Sequence, residues 1–437
     1  PVRRRLPAHS PAVAGFRPAG MALAVAAAFM GAGQALGQPS GAQVISGQAS
    51  LVQQGSSLVV TTQNAAGTHR SAINWQSFSI PAGSSTRFDQ PHAASLSINR
   101  VMGSDPSAIF GTLSSNGRLV LVNPAGIAVG AGAVVDTAGF TASTLRMSDA
   151  DALAGRLVFG GDGLSGGVLS VDGRIVARSG DVVLIAPNVQ VGAQALVQSP
   201  SGATLLAAGQ KVELTGRGLE GIRLEVQAPS DQVVNLGTLQ GDAVGIFAGQ
   251  LKHSGLIQAT GISAEGGKVV LRAQDSADIL GQVKATSGTQ GGQVHATAGK
   301  VMLRSGAIID VSGSQGGGEA LVRRGGGFVQ PVAQAALLLD QDLQPALGRA
   351  GGVLLALGEE IEDAHGSAPE HLGEETLALD RGVAQRDFLA EDAPHRVDEV
   401  HALVLERHVP QGALVLLAVA RRGLHHALDL GVRETAA

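Results

Sequence analysis

The stretch GGKVVLRAQDSADILGQVKATSGTQGGQVHATAGKVMLRSGAIIDVSGSQGGGEALV, residues 266–322, decides the fold. Gly266-Gly267, Gly291-Gly292 and Gly316-Gly317 each open a short run such as KVVLRA or QVHATA, and the two intervals are both 25 residues (266 to 291 to 316). Between the pairs, GQVKATSGTQ and IIDVSGSQ fall on the same register. A repeat of about 20–30 residues built from β-branched runs with Gly at fixed offsets describes one coil of a parallel β-helix. One coil cannot bury its own inner face, so stability must come from stacking successive coils.

Working outward, the same texture extends from Ala42 to about Val322. LVLV, DVVLIA and GVLSVDGRIVARSGDVVLIAPNVQVG (167–192) show a period of two, bounded by Gly, Ser, Asn or Asp. No apolar stripe at helical spacing interrupts them. Among 437 residues, 62 are Gly without a G-X-Y period, which excludes collagen, and the hydrophobic fraction of 44% excludes a disordered chain. Aromatics make up only 3%, and Trp75, Phe78, Phe88, Phe110, Phe140 and Phe159 gather in the first third. That clustering marks residues 38–160 as an amino-terminal cap plus first coils, closing the strand edge that an open stack would expose. Residues 161–322 then form the regular coils.

The first 37 residues read as an export signal. Arg3-Arg4-Arg5 and Arg17 precede MALAVAAAFMGAGQALG, and Ala35-x-Gly37 places cleavage near Gln38, with Met21 a candidate start. Beyond Val322 the composition changes: no Lys follows Lys300 and no Asn follows Asn235. AQAALLLDQDLQPALGRA and HRVDEVHALVLERHV read as helix fragments. Residues 323–437 are therefore either a separate helical region or the product of a reading-frame change near Arg323-Arg324.

A net charge of −5 without a basic stripe argues against nucleic acid as a partner, and the absence of Cys removes disulfides and thiolate metal sites together. Asp162, Asp172, Asp181, Asp275, Asp278 and Asp310 share no rung register of the kind a Ca²⁺-dependent lyase needs, and turn chemistry accounts for them. His395, Glu399 and His401 lack the H-E-x-x-H spacing. No catalytic, cofactor or metal site is expected.

One corner stands apart. In RLVLVNPAGIAVGAGAVV (118–135), Asn123-Pro124-Ala125-Gly126 has the residue preferences of a type I turn, with the Asn side chain able to bond the backbone two residues on. As turn chemistry alone, Asn123 would contribute about 0.5–2 kcal/mol. INWQSFSIPAGSSTRFDQP (73–91) and SINRVMGSDPSAIFGTLSSNGRLVLVNPAGIAVGAGAVVDTAGFTASTL (97–145) resemble the amino-terminal secretion domain of two-partner secretion exoproteins, the filamentous haemagglutinin family. The later VNLGTL, GGKVVLRA and GAIIDVSG resemble its high-molecular-weight adhesin branch.

The resemblance implies an all-β, right-handed parallel β-helix of a Gram-negative bacterium, exported through the periplasm to the cell surface or medium by a dedicated outer-membrane transporter. Host glycans or surface receptors would be the targets of the mature adhesin. It places the transporter-recognition motif on Asn123, Pro124, Ala125, Gly126 and Ile127, with Ala125 where the family has a second Asn, and a secondary motif on Asn74 and Trp75. Trp75 also reads as a plain core residue. A contact-dependent toxin stalk and a β-helical carbohydrate-active enzyme are the alternatives.

Overall fold

The computed structural model of the protein describes residues 37–324 except 161–165, 227, 262–266 and 287–289, and beyond them the short strands at 330–331, 336–338, 401–403 and 418–420. The amino-terminal signal reading and most of the 323–437 tail lie outside the described residues.

The described chain is a parallel β-helix whose strands stack in three columns. One column runs through Arg70–Trp75, Leu96–Val101, Arg118–Val122, Gly139–Ser143 and Val182–Ala186, each paired in parallel with the next. A second contains Ser85–Asp89, Thr112–Ser115, Val134–Thr137 and Arg174–Ala177. A third contains Ser107–Ile109, Ile127–Val129, Val168–Val171 and Asn188–Val191. Parallel pairing between coils follows from the short β-branched segments: each is too short to turn back on itself, and the corners carry it round to stack on its own repeat.

The start of the stack is closed by antiparallel strands. Gln43–Ser46 pairs antiparallel with Arg70–Trp75, and Gln48–Gln54 with Ser57–Gln63, so the first coil meets a hairpin rather than solvent. The early aromatics fill this end: Trp75 meets Phe78 edge-on at 5.5 Å, and Phe78 stacks on Phe88 at 6.3 Å, all three buried.

The register of the repeat differs from its Gly-Gly spacing. Lys268 pairs with Gln293, but Gln293 pairs with Glu319, so the second interval is 26 residues (293 to 319). The residue equivalent to Gly292 is Gly318, not Gly317. A Cβ on Gly292 would lie 2.4 Å from the carbonyl oxygens of Ala285 and Gly267, and one on Gly318 would lie 1.9 Å from that of Gly292. At Gly267, Gly292 and Gly318 neighbouring backbone occupies the space of a side chain.

Two features were not foreseen from periodicity. A short helix, Asp149–Ala154, is capped by Ser148, whose hydroxyl accepts from the Asp151 amide. An antiparallel sheet of Leu157–Gly160, Lys211–Leu214 and Ile222–Val226 lies outside the coil and helps form a second apolar core. That core includes the outward faces of Ile98, Val120, Val183 and Leu205, while Ile73, Trp75, Leu119 and Leu184 face the interior. Within the tail only short strands are described, and the helical and frame-change readings otherwise lie outside the described residues. Ala336–Leu338 is a strand in parallel register with Ile308–Asp310, and His401–Leu403 pairs antiparallel with Ala418–Ala420.

Candidate functional site

The motif Asn123–Ile127 sits at the corner where Arg118–Val122 ends and Ile127–Val129 begins. The turn closes as its residues predict: the Gly126 amide donates to the Asn123 carbonyl at 3.0 Å, and the Ala125 amide to Asn123 Oδ1 at 3.0 Å. Gly126 holds φ at +129°, a conformation that strains residues with a Cβ.

The corner is also sealed between coils. Asn123 is fully buried, and its Nδ2 donates to the Asp105 carbonyl at 3.0 Å and to Ser107 Oγ at 2.9 Å. The Ser107 amide donates to the Gly126 carbonyl from one side, and the Gly167 amide to the Pro124 carbonyl from the other. Among the motif side chains only Ala125 is exposed, with Pro124 half-buried. A longer side chain at Ala125 would project toward solvent.

Asn74 and Trp75 reach the same corner two strands away. Asn74 pairs in register with Arg100, and Arg100 with Val122, the residue before the motif. Alternation sends the two motif side chains to opposite faces. Trp75 enters the interior, where its indole N–H donates to Asn99 Oδ1 at 3.0 Å. Asn74 faces outward, and its Oδ1 accepts from Nε and Nη2 of Arg100 at 3.0 and 2.9 Å. Arg100, only 4% exposed at its side chain, also donates to the Met147 carbonyl at 2.9 Å and pairs with Asp149 at the helix start.

Arg100 and Asn99 were not singled out from the sequence. The available signal was the polar pair inside the apolar run SINRV, which has no place in a strand buried on both faces unless each side chain is paired. The TPS secretion domain, the amino-terminal domain of two-partner secretion exoproteins, matches residues 35–318.

The chain belongs to the TPS secretion domain family.

Similarity in structure agrees. The crystal structure of the HMW1 secretion domain from Haemophilus influenzae superposes with a TM-score of 0.60 at 28% identity, covering 68% of this chain and 82% of that one. A heme/hemopexin-binding protein of Haemophilus influenzae is 27% identical over 253 residues, 54% of this chain and 27% of the relative. A second protein of that description is 37% identical over 78 residues, 18% of this chain and 8% of the relative. The chain thus spans about a quarter or less of the length of the curated relatives it matches. A TPS secretion domain is handled by a dedicated outer-membrane transporter and is exported to the surface or medium, and this chain carries that module.

Proposed function

We propose that residues 38–322 are the export address of a larger, adhesin-type exoprotein, and that the transporter captures the chain at Asn123–Ile127, with Asn74–Trp75, in the periplasm before the β-helix forms. One observation carries the reading. Both bonds that make the turn lie within Asn123–Gly126, while the Asn123 Nδ2 hydrogens go to residues of a different coil. In an unfolded chain the Pro-biased turn can populate with those two donors free; once the coils stack, no face of the amide remains to be read.

The test is release into the medium with the cognate transporter co-expressed. Asn123→Ala should abolish most release, and Ala125→Asn, at the exposed position, should keep or raise it. Unchanged release of Asn123→Ala defeats the proposal.

We infer no catalytic role for this domain. The family that the chain matches is a secretion domain, and that match supports the reading. Contact with host glycans or receptors falls to the portion beyond the secretion domain. The heme and hemopexin in the relatives' names are not carried over, because the similarity covers only 27% and 8% of those proteins. Residues 1–37 serve this route as a cleaved export signal.

A further inference from the structure

We propose that His69 and His92 form a two-imidazole site for a borderline divalent transition metal such as zinc or copper, on the corner that leads into the first strands of the Arg70–Trp75 column. Both residues are exposed, lie on successive coils, and hold their ring centroids 5.1 Å apart with planes inclined at 68°. The separation fits a shared ion. With a metal–nitrogen distance of about 2.1 Å, the ion lies about 3.2 Å from each ring centroid, and two such vectors at a tetrahedral angle place the centroids about 5.2 Å apart.

The backbone under both rings is fixed, so the pair is held together rather than meeting by chance. The Leu96 amide donates to the His69 carbonyl at 2.9 Å as a rung bond, and the Ser95 amide closes the other loop on the His92 carbonyl at 2.9 Å. The turn before His69 is braced by Ala65 N to Arg70 O at 2.8 Å and by Thr68 Oγ1 to Ala65 O at 2.8 Å.

A hydrogen-bond chain orients one ring. Asn64 Nδ2 donates to Ser95 Oγ at 3.0 Å, and Ser95 Oγ meets His92 Nδ1 at 3.3 Å. Engaging Nδ1 leaves Nε2 of His92 as the ligating nitrogen, the arrangement by which outer groups set a metal-binding imidazole. On the same chain, Asn64 Oδ1 is buried without a hydrogen-bond partner. Imidazole ligands select zinc, copper or nickel over magnesium and calcium. Two protein ligands make a modest site, and its effect would be to tie the 64–69 turn to the 91–95 loop.

The test uses the full chain, with histidine carbethoxylation by diethyl pyrocarbonate read residue by residue by mass spectrometry, with and without zinc chloride. Expected is joint protection of His69 and His92 by zinc and none by magnesium, reaching ~tenfold when zinc exceeds its Kd by about that factor. In His69→Gln the protection of His92 should vanish, and in His92→Gln that of His69. No protection of either residue overturns the site. Protection of one that survives loss of the other also overturns it, since that is an ion on a single imidazole.

Discussion

Replacing Asn123 by Ala separates the two jobs that the corner performs. The change removes three side-chain bonds, those to the Ala125 amide, the Asp105 carbonyl and Ser107 Oγ. Ser107 is fully buried, so its hydroxyl loses a partner that water cannot replace. At about 0.5–1.5 kcal/mol for each bond, with the larger penalty for a buried group left unpaired, the total is about 2–4 kcal/mol. This exceeds the turn-only expectation, because the amide bridges two coils. For a domain of this size the midpoint should drop by about 5–10 °C.

A loss that large could depress secretion by itself, so a stability-matched control is needed. Leu121→Ala deletes a buried interior side chain two residues away, costs about 2–5 kcal/mol, and leaves the motif untouched. Ser107→Ala removes one of the same bonds from the partner's side. The assay is the ratio of secreted to cell-retained protein with the transporter co-expressed, beside thermal melts of each purified variant by circular dichroism. Leu121→Ala and Ser107→Ala should be released close to the parent level, and Asn123→Ala far below them at equal or better stability. If release falls with stability along one line for all three, the corner is architecture and the recognition argument is refuted.

Three further outcomes are expected. Gly292→Ala should destabilise the coil by more than about 3 kcal/mol or prevent folding, because its Cβ meets two backbone carbonyls at 2.4 Å; Gly316→Ala, whose nearest neighbour is the flexible Gln290 side chain at 3.2 Å, should melt near the parent. His253 is buried between Asn235 Nδ2 and the Gln282 carbonyl, and burial lowers its pKa from 6.5 to about 4. Since the unfolded chain takes up the proton first, stability is complete above about pH 6.5 and is lost as pH falls toward 4, by up to about 3 kcal/mol. Denaturant midpoints across this range should show the slope, and His253→Gln should flatten it. Trp75→Phe removes the indole donor to Asn99 Oδ1 and should cost about 1–3 kcal/mol in thermal melts, and a near-parental melt would show that the indole bond is dispensable.

The sequence by itself determined the strand segments, the glycine-marked corners, the repeat and the closing chemistry of the Asn123 turn. All of these depend on interactions within a few residues: the period-two alternation, the φ preferences of Gly and Pro, and the reach of an Asn side chain. Trp75, Phe78 and Phe88, close in sequence, also pack together in the fold.

What only the tertiary structure decided are relations between coils. The second pairing interval is 26 residues, not the 25 of the Gly-Gly spacing, because pairing follows hydrogen bonds to the preceding rung, and the third Gly of GGG allowed either register to be read. The helix Asp149–Ala154 and the outer sheet form against an apolar face that exists only after stacking, so neither has a strong local pattern of its own. Asn74 and Val122, the residue before Asn123, share one register line through Arg100 for the same reason. The amide of Asn123 is a free donor in a peptide and a buried bridge in the fold, and the difference lies entirely in the neighbouring coil that supplies Asp105 and Ser107.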